Sequence, residues 1–588
     1  MTISRTNTSL ADPLTVAVQT SGTAITDIDY NASPGNWNWG PSTVVIPANE
    51  DSLTITITPV QDSDYLEPVE LINLTVVPLT TYWTTSQIMV TVTLNPGNRS
   101  PIVPSASYTI AKQYRGAIAN VNASDPDDGQ TLTYSLNGFT DIFAVTSSGD
   151  VIVSDPSALS EVTSGTTFAL VVTATDNGIP AESGSGTVAV TVKGVGVTLR
   201  SVNFLDNHTV WRDPEIQNPG ILQTITSTAY EKSPEWIADN NGNVSRNTPL
   251  AYTSFVEDND NDTLKASPYF TVHENWSHTD VSVRALVAHG FNMPAETLEH
   301  TEYTSTNDSL WLPTGVALEA SAEFARPLYD DKFTIRWQIS LDSGTSWIGV
   351  RSTDHRMYVT WKLPEVTKLW ETLLHIGTIN ATGASSEESV VSRIWDEFPD
   401  LSVSRVDGLV MEYSHEKVIP GVIFDGVPDE TVELLAYGKG QCNSWTDFFE
   451  DVLLAQGVSL TIQQRKISAV VGTGFIVESH WQWEEPQEFA DAPEDFNYLQ
   501  NENIWDGIGA ELDGQGYSNG MKADFKNHWI IQINGKIYDP SYGGFFNTLA
   551  EWEEAAVVGA TVDGPSDPDG GSRFYSRKRE SGDTFTTF

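Results

Sequence analysis

Hydrophobic and polar residues alternate along the first part of the chain, which is the pattern of strands that bury one face. Runs such as LTVAVQT, SLTITITPV and QIMVTVTL recur up to residue 96, and Gly, Pro and Asn separate them. After the linker LNPGNRSP, the alternation returns in GDVIVSD, FALVVTATDNGIP and GTVAVTVKG, up to residue 196. Residues 197–365 stay strand-rich. The pattern predicts two β-sandwiches, over 1–96 and 101–196, and a further β-rich module over 197–365.

The pattern changes near residue 366, where apolar residues take up helical spacing. In SSEESVVSRIWDEF, Ser385 and Glu388 fit a capping box, and apolar residues follow at 390, 391, 394, 395 and 398. We therefore expect an α+β domain over 366–560 and a polar tail over 561–588. The predicted fold class is a multidomain chain with all-β modules first and one mixed domain after them.

The chain is strongly acidic, with 31 Lys and Arg against 78 Asp and Glu and a net charge of −47. Such a charge repels nucleic acid and attracts cations, so we expect no nucleic-acid partner.

No uninterrupted apolar stretch is long enough to cross a bilayer, and one cysteine cannot form an internal disulfide. The first residues, MTISRTN, show no export signal and have the pattern of a strand interior, which suggests a truncated sequence.

Four segments of the first module carry a family resemblance. In order, SRTNTSLADPLTV, SGTAITDIDY, VIPANEDSLTITITPVQDSDYLEP and ELINLTV resemble a Calx-beta domain over nearly its whole length. The resemblance implies calcium at one end of the sandwich, because clustered loop carboxylates suit a cation with six to eight oxygen ligands. The matching acidic positions are Asp29, Asp62, Asp64 and Glu67. The alternative is that these are solvated turn residues of a spacer module.

The second module resembles a cadherin-like repeat through NASDPDDGQTLTYSL and VTATDNG. The resemblance implies calcium bound near the acidic turns, at Asp125, Asp127, Asp128 and Asp176. The family's second acidic strand-end motif is missing, since residues 154–161 are SDPSALSE, so one bound ion is the expectation. The third module, 197–365, resembles no family that we can name.

The chain's one cysteine, Cys442, lies in AYGKGQCNSWTDFF, after a glycine-rich turn. Apolar residues follow at 445, 448, 449, 452 and 453, and Gly457 ends the run, so Cys442 falls in the first turn of a predicted amphipathic helix. A helix N-terminus favours negative charge and therefore the nucleophilic thiolate. The alternative is an inert buried thiol.

A predicted hairpin supplies a partner for this thiol. Asn534-Gly535 separates two β-rich runs in HWIIQINGKIYDPSYG, and this dipeptide is a strong signal for a two-residue turn. If residue 533 pairs with 536, His528 and Asp539 lie on one face as diagonal neighbours, with Cβ atoms about 7 Å apart. Asp539 then fixes the tautomer of His528, so that its other nitrogen can face the thiol.

The segments GQCNSWTDFF and HWIIQINGKIYDPSYG, in this order, resemble the nucleophile and base segments of transglutaminase-like cysteine enzymes. The resemblance covers about 366–560 and implies a papain-like α+β domain with Cys442 as nucleophile, His528 as base and Asp539 as orienting acid. It also implies acyl transfer through a thioester and an oxyanion hole. The Cys442 N–H is the expected first oxyanion donor, and Gln441 and Trp395 are candidates for the second.

Three other histidines are alternative bases, but none has an acidic partner placed by an equally clear turn. We expect His355, His375 and His480 to be structural.

These expectations combine into a surface or secreted acyl-transfer enzyme displayed on calcium-binding β modules, with calcium not required for the chemistry. Its substrate would be a protein or peptide carboxamide, with an amine as a second substrate, and its location extracellular, beside a cell-surface or matrix partner. Two alternatives stay open. One is a cysteine protease or amidase on the same core, and the other is a non-catalytic, calcium-dependent adhesion protein.

Overall fold

The structure is a computed structural model that describes most of the chain. The described residues are 1–6, 10–34, 41–60, 69–82, 84, 89–94, 98–127, 129–217, 224–254, 262–272, 278, 281–301, 308–413, 430–469, 474–477, 514–517, 524–525, 527–563, 574–578 and 585–587. They form two compact units. The first unit comprises Met1–Tyr108, Ile118–Ala158 and Gly165–Thr191, and the second comprises Thr109–Ala117, Leu159–Ser164 and Val192–Phe588. Within the described residues, no helix is long and apolar enough to span a membrane.

The first module is built from strands, as its alternation predicts. They are Thr2–Ser4, Leu14–Gly22, Tyr30–Ser33, Pro41–Ile46, Ser52–Thr54, Thr56–Pro59, Glu70–Val77 and Met89–Leu94. Leu14–Gly22 lies between Pro41–Ile46 and Glu70–Val77 in a four-stranded antiparallel sheet that Met89–Leu94 completes. Alternate residues of these strands, such as Val16, Val18, Leu74 and Val76, share one buried core.

The second module is also β-stranded. Its strands are Ala106–Ala111, Gly116–Asn120, Thr133–Asn137, Phe143–Val145, Asp150–Val153, Thr167–Thr175 and Ser183–Lys193. Within the first unit, Thr167–Thr175 pairs with both Thr133–Asn137 and the start of Ser183–Lys193. The segment SDPSALSE contains a short helix, α1, Pro156–Glu161, whose first N–H groups are accepted by the carboxylate of Asp155.

In the third region, most strands belong to two sheets around one core. Its strands are Val197–Leu205, Val210–Trp211, Glu215–Gln217, Thr224–Thr226, Trp236–Ala238, Val244–Asn247, Leu250–Thr253, Thr263–Val272, Ser282–Val287, Met293–Thr297, Glu299–Thr301, Asp308–Trp311, Leu318–Glu323, Leu328–Ser340 and Ile348–Thr360. The two longest, Leu328–Ser340 and Ile348–Thr360, form a hairpin in one sheet, and Thr263–Val272 is central to the other. The core between them includes Trp236 and Trp337.

The C-terminal region is mixed, as the change of pattern predicts. Its helices are α2, Glu371–Ala381; α3, Glu387–Trp395; α4, Glu430–Tyr437; α5, Cys442–Ala455; and α6, Leu549–Ala556. Its strands are Leu369–Trp370, Glu412–Tyr413, Lys439–Gly440, Ile462–Ala469, Gly474–Val477, Asp524–Phe525, Asn527–Ile533, Lys536–Asp539, Gly544–Phe546, Val557–Asp563, Phe574–Lys578 and Phe585–Thr587. Short 3-10 turns lie at Ala288–Gly290 in the third region and Gln515–Tyr517 here.

One five-stranded antiparallel sheet positions the candidate site. Its order is Gly544–Phe546, Lys536–Asp539, Asn527–Ile533, Ile462–Ala469 and Phe585–Thr587. The buried side of α5 packs in a core that includes Trp445 from the helix and Ile530 from the sheet. The helix ends before Gly457, where a Cβ would lie 2.5 Å from the Leu363 carbonyl oxygen and where φ is +65°. Only glycine suits that position.

Two predictions about this region are wrong. The helix cap is Ser386 with Ser389, one residue later than the predicted pair of Ser385 and Glu388, although residues 390, 391, 394, 395 and 398 are buried as predicted. Residues 561–588 are not simply a polar tail. Val557–Asp563 pairs with Phe574–Lys578, and Phe585–Thr587 joins the five-stranded sheet. These strands are short, so any alternation within them gives no clear sequence signal.

Candidate active site

Cys442 is the first residue of α5, where the sequence predicts it. The turn before the helix requires glycine at 440, because a Cβ there would lie 2.7 Å from the Cβ of Ser444. Gln441 is the N-cap residue, with an extended backbone at φ −82° and ψ 179°. Cys442 is 7% exposed, so little of the residue is accessible to solvent.

The hairpin that carries His528 and Asp539 has the predicted register. Ile533 pairs with Lys536, and Asn534 and Gly535 both have positive φ, at 49° and 85°, as a two-residue type I′ turn requires. The sequence pair Asn-Gly therefore places His528 and Asp539 on neighbouring strands, with their side chains converging.

His528 and Asp539 form a fully buried pair. His528 Nε2 lies 2.7 Å from Asp539 Oδ2, and both side chains are 0% exposed. The Cys442 side chain lies close enough to the same imidazole to contribute to the raised pKa of His528. Because Nε2 faces Asp539, Nδ1 is the ring nitrogen left for the thiol. The three residues predicted as nucleophile, base and orienting acid are thus together in the structure.

The charge of Asp539 determines the protonation state of His528. Burial alone lowers the pKa of a histidine, but the charge and hydrogen bond of Asp539, with a further contribution from Cys442, raise the pKa of His528 to about 10. At neutral pH the ring is therefore an imidazolium. It can donate a proton to a leaving group and stabilise negative charge on the neighbouring sulfur.

Two aromatic residues that sequence reasoning did not assign enclose the imidazole. Trp552 of α6 stacks on His528 with ring centroids 6.1 Å apart and planes at 10°, and its Nε1 lies 3.4 Å from Asp539 Oδ2. Tyr542 lies 5.7 Å from the same ring. Tyr542 belongs to the DPSYG segment, so a signal for it was present. Trp552 has no such signal, since only the folding of α6 onto the hairpin brings it there.

The oxyanion candidates are less clearly placed. The Cys442 N–H lies in the first turn of α5, where backbone donors have no intrahelical partner. The Gln441 side chain makes no capping hydrogen bond. Trp395 packs in an aromatic core, parallel to Phe398 at 5.5 Å and edge-on to Phe449 at 5.3 Å. The second donor stays a prediction.

Two of the three alternative bases, His355 and His375, are packed against other side chains. His355 is buried in the third region beside Thr353 and the ring of Phe204, and burial lowers its pKa to about 3. His375 packs against Tyr329 and Tyr358, and burial also lowers its pKa. His480 lies outside the described residues.

Of the acidic residues predicted to bind calcium in the first module, the described part of the chain includes Asp29. Asp29 is buried, and its Oδ2 accepts the Ile25 N–H at 2.5 Å, so the carboxylate holds a turn. Asp62, Asp64 and Glu67 lie outside the described residues. Calcium there remains a prediction.

In the second module, the described acidic residues leave calcium binding a prediction. Arg99 occupies both oxygens of Asp127, through its backbone N–H and its Nε, each at 2.7 Å. Asp125 and Asp176 each keep one buried oxygen without a hydrogen-bond partner among the described residues, which would suit a cation. However, no group of three or more His, Cys, Asp or Glu within the described part of the chain is arranged to hold a metal. Asp128 lies outside it.

Comparison with known proteins leaves the family open. No family model matches the chain, and no curated protein matches it. Similar solved structures include cadherin ectodomains. Protocadherin gammaB7 EC3-6 is 14% identical over 58% of this chain and 68% of that chain, with a TM-score of 0.19. Mouse cadherin-23 EC22-24 is 13% identical over 58% and 86%, with a TM-score of 0.19. Chicken VE-cadherin EC1-2 is 14% identical over 30% and 84%, with a TM-score of 0.18.

TM-scores this low carry no argument about function. The β-stranded, multidomain architecture rests on the strand pairing described above. Neither the Calx-beta nor the transglutaminase-like resemblance gains support from these comparisons.

Proposed function

We propose that the protein is a transglutaminase-like cysteine enzyme that transfers an acyl group from a carboxamide through a thioester on Cys442. The observation that carries the proposal is the buried contact of 2.7 Å between His528 Nε2 and Asp539 Oδ2, with the Cys442 side chain close to the same imidazole. Burying such a pair costs several kcal/mol of desolvation, so stability alone is a weak reason for its presence. Strongly shifted pKa values, such as that of His528, are typical of functional sites.

The reaction would proceed in two steps on these residues. The Cys442 thiolate attacks the carboxamide carbon, the C–S bond forms, and the C–N bond breaks as the imidazolium of His528 protonates the departing ammonia or amine. His528 is then neutral and takes a proton from an incoming amine or water. That nucleophile attacks the thioester, and the C–S bond breaks to regenerate the thiolate. Asp539 orients the ring throughout and stabilises its charged form.

The first oxyanion donor in this proposal is the Cys442 N–H, at the positive end of α5. Gln441 and Trp395 remain the candidates for the second. The β modules would hold this domain outside the cell, next to a cell-surface or matrix partner. Calcium in the β modules belongs to the proposal only as a structural ion, because no step of the chemistry requires it.

Two other functions are alternatives to this proposal. A protease or amidase would follow if water outcompetes the amine for the thioester. A non-catalytic adhesion protein would follow if the triad is vestigial.

Incubation with a glutamine-containing peptide and a labelled amine tests the proposal. Parent protein and Cys442→Ala are compared for amine incorporation, ammonia release and peptide cleavage. Incorporation that requires Cys442 supports acyl transfer, and ammonia release or peptide cleavage without incorporation supports hydrolysis. If the parent and Cys442→Ala give identical traces across a panel of peptides, the site is vestigial and adhesion becomes the better hypothesis.

A further inference from the structure

A Gly-Gln-Gly segment at 514–516 lies against the backbone that carries the orienting acid. Gln515 is fully buried, and its Nε2 donates to the carbonyl oxygens of Pro540 and Phe398, each at 2.9 Å. Its backbone N–H also donates to the Ser541 carbonyl oxygen at 3.0 Å. The Gln515 side chain thus ties Pro540, the residue after Asp539, to the chain just beyond α3, and its backbone N–H adds a bond to Ser541.

The flanking glycines allow this close approach. A Cβ at Gly514 would lie 2.9 Å from the Cβ of Tyr413. At Gly516, where φ is +78°, a Cβ would lie 2.8 Å from the Met411 carbonyl oxygen. Both contacts are too short for any larger residue without movement of its neighbours, so the two positions that flank Gln515 fit only as glycine.

The carboxylate of Asp539 depends on this backbone for its position. Both of its hydrogen bonds, from His528 Nε2 and Trp552 Nε1, reach Oδ2. Oδ1 is buried and has no hydrogen-bond partner in the described part of the chain. Because no donor holds the second oxygen, the direction of the carboxylate follows from the placement of the main chain at 539–541.

The same stretch is held a second time on its far side. Gly543 has φ +70°, and a Cβ there would lie 2.7 Å from the Pro399 Cα and 2.9 Å from the Phe398 carbonyl oxygen. Phe398 therefore accepts a hydrogen bond from Gln515 and also packs closely against the end of the turn that follows Asp539.

We propose that Gln515 is a positioning residue for the triad, which holds the 539–541 backbone so that Asp539 Oδ2 meets His528 Nε2. The inference rests on the proposed function, because it assigns a role to the same site. Loss of the Gln515 amide should let the carboxylate turn away from the imidazole. A misplacement of about 1 Å in a catalytic constellation can cost about a hundredfold in rate.

The test uses the full chain and its single thiol. Iodoacetamide alkylation of Cys442 is measured at pH 7 and at pH 10 for the parent, Gln515→Met and Gln456→Met. At pH 10 ordinary thiols are largely ionised, so that rate reports access alone. At pH 7 the rate depends on the imidazolium that Asp539 maintains. Because unfolded molecules react as ordinary thiols and also lower the ratio of the two rates, a second variant that loses a buried glutamine elsewhere is needed as a control.

Gln456 is a matched control. It is also fully buried, its Nε2 donates to Thr378 Oγ1 at 2.9 Å, and its Oε1 accepts the Trp361 N–H at 3.2 Å, but it lies at the far end of α5. We expect the ratio of the rate at pH 7 to that at pH 10 to fall about tenfold or more in Gln515→Met and to stay at the parent value in Gln456→Met.

The inference is overturned if the parent and Gln515→Met have the same ratio of alkylation rates at pH 7 and pH 10. It is also overturned if this ratio falls equally in Gln515→Met and Gln456→Met. If Gln515→Met fails to fold, Gly543→Ala is used instead, because the added Cβ should push the turn after Asp539 away from Phe398. The same ratio of alkylation rates is then measured for Gly543→Ala. If His528→Gln leaves the parent ratio unchanged, the proposed function itself fails, and that result is distinct because it does not involve Gln515.

Discussion

Trp552 lies flat against His528, with ring centroids 6.1 Å apart and ring planes at 10°, and its indole N–H reaches the carboxylate that pairs with that imidazole. The indole therefore covers the pair of His528 and Asp539 from one side and adds a donor to it. In a water-excluded site, the charge of Asp539 acts more strongly on the imidazole than it would in solvent.

Replacing Trp552 should separate these two contributions. Trp552→Phe keeps an aromatic cover but removes the N–H, and we expect a loss of a few-fold in the alkylation rate at pH 7. Trp552→Ala also admits water and should lose more. Trp445→Phe is the control, because the Trp445 indole nitrogen is buried with no hydrogen-bond partner among the described residues. Equal effects at 445 and 552 would contradict a specific role for Trp552.

Asp539→Asn should leave the protein folded and slow its turnover. The variant keeps the side-chain volume but loses the fixed charge that raises the pKa of His528. Loss of the orienting acid of a triad can cost about 10⁴ in rate. Asp396→Asn, at the exposed C-cap of α3, should change the rate little. Amine incorporation is the measurement, and activity retained in Asp539→Asn would show that the pair is not catalytic.

His355 should weaken the fold in acid. Its folded pKa, about 3, is below the ordinary value of 6.5, so the unfolded chain binds a proton first as the pH falls. This group has no effect above pH 6.5, and stability declines between pH 6.5 and about 3, by at most about 1.4 kcal/mol per pH unit for one proton. His355→Leu should flatten that decline in denaturant unfolding curves.

His289 provides a control, because its protonation should affect the stability of the fold in the opposite direction. Its Nε2 lies 2.8 Å from Asp330 Oδ2, and that partner raises its pKa. The pair of His289 and Asp330 therefore contributes its full stabilisation of the fold below pH 6.5. This stabilisation is lost as the pH rises through the raised pKa of His289, so His289→Gln should weaken the fold most in acid. A parent curve that His355→Leu leaves unchanged would contradict the assignment of the acid sensitivity to His355.

Arg99 should make the second module less dependent on calcium. Its guanidinium lies 2.7 Å from Asp127 and so neutralises part of the acidic turn. Arg99→Gln should lower stability by about 1 kcal/mol or less and should increase the rise in Tm that millimolar calcium gives over chelator. Arg405→Gln, which breaks an ion pair with Asp407, is the control and should gain no calcium response. Equal calcium responses in the parent and Arg99→Gln would refute this role.

The sequence predicted the parts of the site that are formed by residues close to one another along the chain. The Asn534-Gly535 turn determined the register that brings His528 to Asp539, and the run after Cys442 predicted α5 with its end at Gly457. Long-range packing could not be predicted in this way. Trp552 and Gln515 reach the triad only through tertiary contacts, and their sequence surroundings carry no signal for it.

The rate of Cys442 alkylation by iodoacetamide at pH 7 tests the central claim most directly, since every thiol adduct on this chain reports on that one residue. The account predicts a fast reaction in the parent and a rate at least about tenfold lower in His528→Gln, because the imidazolium that stabilises the thiolate is gone. Gln456→Met should react like the parent. Equal rates in the parent and His528→Gln would contradict the claim that Cys442, His528 and Asp539 act as a catalytic unit.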